Sequence, residues 1–189
     1  MGTGESDPLK KILRRMPQLY EFLLWITTTV FFYGVSAERA IRHAFPDGKN
    51  NTILNLGSGT SDFGEDVINV DVAAFAGVHV VANAEDLPFQ DASADMIITE
   101  SMLEHIARPE CAIDEMRRVI KPGGYVYIEM PFMFPFHASP SDYTRFTIEG
   151  LKNRFDDFDV IKIGARAGPV TALVVQLAYT VALLFSFGS

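Results

Sequence analysis

The chain has 189 residues, enough for one domain with a sizeable core. Its net charge of −8 argues against nucleic acid, whose binders carry a basic face. The single cysteine, Cys111, excludes an internal disulfide and a cysteine-based metal site, and a hydrophobic content of 48% is high for a soluble enzyme.

Residues 1–50 read as a basic and apolar helical segment. Lys10, Lys11, Arg14 and Arg15 precede an apolar stretch from Phe22 to Ala37. Glu21 and the run Thr27-Thr28-Thr29 break the pattern of a secretory signal. The stretch has 16 residues, and a bilayer span needs about 20. Basic residues ahead of an aromatic-rich helix suit the interface of an anionic membrane. A helix covering a sheet face is the alternative.

Residues 51–166 alternate short apolar runs with helical patterns. Strands are expected at Thr52 to Leu56, Val67 to Val70, Val78 to Ala82, Asp95 to Thr99 and Tyr125 to Met130, with a sixth at Asp159 to Ile163. Continuous apolar runs of this length suit strands buried on both faces of a parallel sheet. Pro109 opens a helix whose apolar face is Ala112, Ile113, Met116, Val119 and Ile120, and Lys121-Pro122-Gly123-Gly124 stops it. A second helix runs from about Thr147 to Arg154. Cys111 is read as core packing, His43 and His79 as surface or packing residues. The sequence Asn50-Asn51-Thr52 matches a glycosylation acceptor by chance, at the entry to a buried strand.

Residues 167–189 carry no charge. From Val170 to Phe187 only Thr171, Gln176, Thr180 and Ser186 are polar, which is at the threshold for a transmembrane helix. A shorter buried helix with a tail is the alternative. The whole pattern is α/β: a doubly wound, mostly parallel Rossmann-like sheet, abbreviated, with apolar helices at both ends.

In such sheets ligands bind beyond the carboxyl ends of the strands. Gly57, Asp71, Asn83 and Glu100 end strands and therefore gather at one edge. Gly57 and Gly59 let backbone approach a ligand closely. Asp71 can accept hydrogen bonds from vicinal ribose hydroxyls. A dinucleotide site needs a third glycine where Asp62 stands, and a helix N-terminus for the pyrophosphate. The segments Ser58 to Asp66 and Val72 to Gly77 are too short for crossover helices. The pocket suits a nucleoside without phosphates.

S-adenosylmethionine is such a ligand. From about Thr52 to Thr147 the chain resembles the class I S-adenosylmethionine-dependent methyltransferases, in their small-molecule, type 11-like branch. The matching stretches are ILNLGSGT, INVD, NAEDLPF, ADMIITESMLEHI and EMRRVIKPGGYVYIEMP, in the family's order. The resemblance implies that Asn55, Gly57, Ser58 and Gly59 line the methionine portion of the cofactor. It sets Asp71 on the ribose and Val72 beside adenine. Asn83 and Ala84 match the pair that reads the adenine edge, and Glu100 and Ser101 the position near the sulfonium. Leu103-Glu104-His105-Ile106 matches a recurrent helical turn in which His105 is structural. Asn55 replaces the family's usual acid, Ser61 its third glycine, and no seventh strand follows Ile163.

The loop MPFMFPFHASPSDYTRFT, Met130 to Thr147, is the candidate acceptor site. It resembles a pattern in a subset of these methyltransferases connected with surface glycans or lipid-linked sugars. Methyl transfer from a sulfonium needs alignment and removal of a proton from the acceptor. His137 has a suitable reference pKa for a general base; holding the loop by hydrogen bonds is its alternative role. Asp142 either orients His137 or is the base. Arg145 either holds an anionic group of the acceptor or pairs with Asp142.

The leading reading is methyl transfer to a hydroxyl of a small or lipid-linked acceptor at the cytoplasmic surface of a membrane, without metal. The apolar termini also offer an oligomerisation surface. The competing reading is a non-catalytic binding module on the same scaffold: Asn55 and Ser61 favour it, while Asp71, Asn83 and Glu100 oppose it.

Overall fold

The computed structural model describes residues 34–48, 51–138 and 141–186. The basic cluster Lys10 to Arg15, nearly all of the apolar stretch from Phe22 and Asn50 of the glycosylation match lie outside the described residues. The chain divides into two compact units. One is Val35–Pro131 with Tyr143–Asp159; the other includes Phe132–Asp142 and Val160–Ser189.

The first unit is the α/β body. Its strands are β1 (Ile53–Leu56), β2 (Val67–Asp71), β3 (Val80–Val81), β4 (Ala94–Glu100) and β5 (Ile120–Glu129). They form one sheet in the order β3-β2-β1-β4-β5, with every pairing parallel. The central strand β1 is buried throughout, as its unbroken apolar run requires of a strand with helices or loops on both faces. Its register sets Asn55 opposite Asn69 of β2 and Leu56 opposite Thr99 of β4.

One face of the sheet is covered by helix. Pro109 starts α2 (Pro109–Val119), and Ala112, Ile113, Met116 and Val119 are buried on it. They pack in one cluster with Leu54, Leu56, Val70 and Ile97. Thr147 caps α3 (Ile148–Arg154), its hydroxyl accepting from the Gly150 N–H at 3.0 Å, and Phe155 beyond its end joins the cluster. Loop 85–92 is tied to α2 by charge. Arg118 donates to the carbonyls of Leu87 and Phe89, and Glu115 accepts from the Leu87 N–H at 2.7 Å. The Arg118 hydrogen bond, with help from the Leu87 N–H, holds the Glu115 carboxyl below its ordinary value.

The opposite face has less helix. α1 (Ala37–Ala44), capped by the Ser36 hydroxyl, covers Ile53, Val67, Met96 and Ile98. Phe45 meets Tyr125 edge-on at 5.8 Å, and the Tyr127 hydroxyl donates to the Val35 carbonyl at 2.9 Å. No helix forms in 58–66 or 72–77. Phe63 packs against the cluster in place of the first. In place of the second, loop 77–79 folds back on β2: the Asn69 amide donates to the Gly77 carbonyl at 3.1 Å, and His79 Nδ1 accepts from the Asn69 N–H at 3.0 Å. His79 is thus a fastening of the loop, a role beyond the surface or packing place expected of it.

Three expectations need correction. Residues 159–163 form no strand; Val160, Ile161 and Ile163 are 56%, 63% and 46% exposed, and residues 160–163 belong to the other unit. β3 shrinks to two residues, paired at Val70 and Asp71, because the Asn69 N–H of β2 is taken by the His79 ring and not by strand backbone. β5 starts at Ile120, pairing with Ala94 before an irregularity that absorbs the Pro122-Gly123-Gly124 turn.

In the second unit, α4 (Pro169–Ser186) is an 18-residue helix. Among the described residues no helix is long and apolar enough to cross a membrane.

Candidate active site

The parallel sheet puts the carboxyl ends of all five strands on one edge. The chain leaves β1 through a turn that Gly57 and Gly59 make in the left-handed region, φ +69° and +53°. The N–H groups of Gly57 and Ser58 both donate to the Val70 carbonyl, at 2.9 and 3.1 Å, which fastens the turn to β2. A Cβ on Gly57 would lie 2.5 Å from the Met102 side chain; one on Gly59 would meet nothing within 4 Å. The first glycine is therefore needed for room and conformation, the second for conformation alone.

Asp71 closes the edge. Its Oδ2 accepts from the Gly59 N–H at 2.8 Å and its Oδ1 from the Ala73 N–H at 2.9 Å. The glycine turn and the acid are thus in direct contact, as the strand-end argument requires. A carboxylate oxygen accepts two hydrogen bonds, so each Asp71 oxygen retains capacity for one hydroxyl donor.

The remaining edge residues have distinct surroundings. Asn55 is buried, and its amide donates to Asn69 Oδ1 at 3.0 Å, a cross-strand polar pair beneath the turn. Ser58 Oγ and Thr99 Oγ1 are buried hydroxyls without a hydrogen-bond partner among the described residues. Val72 is 69% exposed just past Asp71. Asn83 closes a turn, its Oδ1 accepting from the Glu85 N–H at 3.0 Å, and Ala84 packs against the core. Glu100 ends β4, and Ser101 follows at φ +53°, its N–H donating to the Glu129 carbonyl at 2.9 Å. A non-glycine residue in that region is strained, and such strain gathers at ligand-handling edges. Leu103–His105 form a 3₁₀ turn with Leu103 and Glu104 buried, and His105 Nε2 stands 3.8 Å from Glu104 Oε1.

These features fit a nucleoside bearing an amino acid. Two glycines with open space over the second, a carboxylate with acceptor capacity for two hydroxyls, and two orphaned buried hydroxyls form a polar cradle without a phosphate-binding helix. Asp62, the residue at the third dinucleotide position, accepts from the Gly64 N–H at 2.9 Å and adds negative charge where a pyrophosphate would sit. Sequence reasoning missed Thr99; its signal is a hydroxyl directly after the apolar run Met96-Ile97-Ile98, one position before the strand end.

The loop residues divide between the two units. His137 and Asp142 belong to the unit with α4, and the structure brings them together. Asp142 Oδ2 accepts from the His137 N–H at 2.9 Å and lies 3.5 Å from His137 Nδ1. The Nδ1 atom is 3.2 Å from the Pro135 carbonyl, and the ring packs edge-on against Phe134 at 5.0 Å. The Pro135 carbonyl and the Asp142 carboxylate are both acceptors for a proton on Nδ1. Asp142 has the geometry of an orienting group. Arg145 belongs to the α/β body, and its guanidinium donates to the Thr144 carbonyl at 2.9 Å.

Comparison with known proteins supports the same family. Residues 54–128 match the methyltransferase domain model. A demethylmenaquinone methyltransferase of Clavibacter sepedonicus is 33% identical over 113 residues, 56% of this chain and 46% of that protein. A ubiquinone/menaquinone biosynthesis C-methyltransferase of Bartonella bacilliformis is 29% identical over 155 residues, 70% of this chain and 57% of that protein. The chain spans about half the length of these curated relatives. The fold is shared with a methyltransferase structure from Archaeoglobus fulgidus, at a TM-score of 0.51 and 18% identity over 76% of this chain and 85% of that one. A second, from Aquifex aeolicus, has a TM-score of 0.51 and 16% identity over 81% and 88%. The cofactor of this family is S-adenosylmethionine, which the glycine turn and Asp71 fit. The match over residues 54–128, the named relatives and the shared fold together support a class I S-adenosylmethionine-dependent methyltransferase.

Proposed function

We propose that this chain transfers the methyl group of S-adenosylmethionine to a hydroxyl of a small or lipid-linked, glycan-type acceptor presented at a membrane surface. The observation that carries the reading is the direct contact between the Gly59 N–H and the Asp71 carboxylate at the strand edge. The cofactor supplies an electrophilic methyl on sulfur. Asp71 grips the ribose diol, with Val72 beside adenine and Asn83 and Ala84 at the adenine edge. Asn55, Gly57, Ser58 and Gly59 line the methionine portion, and Glu100 and Ser101 stand near the sulfonium.

The chain's remaining task is to take a proton from the acceptor hydroxyl. His137 is the base through Nε2, with its ring fixed by Asp142 and the Pro135 carbonyl. Arg145 holds an anionic group on the acceptor. Two relatives bear names of quinone-pathway methyltransferases, one of them a C-methyltransferase, so methylation of a ring carbon in an amphiphile is the second reading.

The test incubates the protein with methyl-labelled S-adenosylmethionine and lipid and glycan extracts, and identifies the labelled product by mass spectrometry. An O-methyl ether supports the first reading, and a C-methyl ring the second. Label transferred to nothing, by protein that binds the cofactor, contradicts both. His137→Ala should lower turnover by about 10²- to 10⁴-fold with cofactor affinity unchanged.

A further inference from the structure

Ten of the fifteen large apolar residues exposed among the described residues belong to the smaller unit. Helix α4 shows why this is not ordinary surface. Its inward positions include Thr171, which is buried; its outward positions 170, 173, 176, 177 and 180 fall on one stripe, where Val170, Leu173 and Leu177, 49%, 59% and 55% exposed, stand beside the uncharged Gln176 and Thr180. A helix facing water places charge there. This one has none from end to end. In the same unit Phe134 packs edge-on against Tyr179 of α4 at 6.1 Å, while Met133 and Phe136 remain 64% and 73% exposed.

The charge of this unit differs from that of the whole chain. Its described stretches 132–138, 141–142 and 160–186 contain the cations Lys162 and Arg166 and one acid, Asp142, which is buried and engaged with His137. The chain as a whole carries −8. A surface whose described residues carry two cations and a single engaged acid, in a strongly acidic protein, matches an anionic bilayer surface better than a protein partner, whose contact areas have charged and polar rims. Among the described residues no helix is long and apolar enough to cross a membrane, and contact in the plane of the interface needs no such span.

We infer that the outward stripe of α4 and the exposed tip Met133–Phe136 form an interfacial docking surface for anionic lipid, with the exposed Lys162 of the same unit as an electrostatic contact. It deepens the proposed membrane-surface acceptor and rests on that reading only for what the docking is for; lipid binding itself requires no turnover.

The full chain is mixed with phosphatidylcholine vesicles, with and without phosphatidylglycerol, and floated on a density gradient. The unsubstituted protein should float with the phosphatidylglycerol vesicles. Leu173→Gln with Leu177→Gln should reduce partitioning by about tenfold or more, and Phe136→Ser should do so to a lesser degree. Lys162→Glu should reduce the preference for phosphatidylglycerol. Calorimetry with S-adenosylmethionine runs beside each variant, so loss of lipid binding is separated from loss of fold and from failure of the methyltransferase reading. Flotation of the double variant equal to the parent overturns the inference, as does a parent that never floats. So does a parent dimer that the double variant converts to a monomer without any vesicle binding, which would make a second copy the occupant.

Discussion

The two faces of the sheet are covered by different means. Under α2 the packing is apolar, with Leu54, Leu56, Ile97 and Met116 all fully buried. Under α1 the strands also present Asn55, Asn69 and Asp71, and loop backbone satisfies what helix does not cover. A clipped crossover is therefore tolerated when the strand beneath it carries polar side chains that hydrogen-bond the returning loop. The same chemistry that replaces a missing helix also builds the ligand edge: Asn69 fastens loop 77–79, and two positions on Asp71 fastens the glycine turn.

The faces should respond differently to mutation. Met116→Ala cuts into the apolar face and should cost about 2–5 kcal/mol, read by denaturant unfolding. On the polar face, Asn69→Ala removes partners of Asn55 and Gly77 and should cost about 1–3 kcal/mol. A cycle with Asn55→Ala should show coupling between the two asparagines, because each is the other's partner; strict additivity would break the comparison. At the edge, Gly57→Ala should destabilise more than Gly59→Ala. Both lose the left-handed conformation, worth about 1–2 kcal/mol, but only the first meets Met102.

The smallest effect is electrostatic, at the amino end of β4. Asp95 accepts from Lys121 Nζ and from the Thr52 N–H, each at 2.8 Å. The Lys121 hydrogen bond, then the Thr52 N–H, hold its carboxyl below the ordinary value. Its contribution is present above the ordinary carboxylate range, about pH 4, and is lost as pH falls through the lowered value. With Lys121 40% exposed, the contribution should stay under about 1 kcal/mol. Asp95→Asn should flatten the acid limb of a stability–pH profile by that amount.

Much of this was legible in the sequence. Unbroken apolar runs marked the strands of the α/β body, Pro109 marked the start of α2, whose end at Val119 leaves the expected face residue Ile120 to open β5, and strand-end logic brought Gly57 to Asp71. Other features depend on partners that local pattern does not encode. Val160, Ile161 and Ile163 read as a β-branched apolar run, yet a strand exists only where a neighbour offers its backbone. Asn69 and His79 look like isolated polar residues because their partners are backbone groups in a returning loop. The His137–Asp142 pair was visible as a constellation, whereas its fixing by the Pro135 carbonyl belongs to loop geometry.

The most direct measurement is titration calorimetry of the folded chain with S-adenosylmethionine and its demethylated product. One site should bind both, and Asp71→Ala, which removes the ribose acceptor, should weaken both at least tenfold while the unfolding transition persists. A well-folded parent that binds neither, or an Asp71→Ala variant that binds them undiminished, would contradict the assignment of the strand edge.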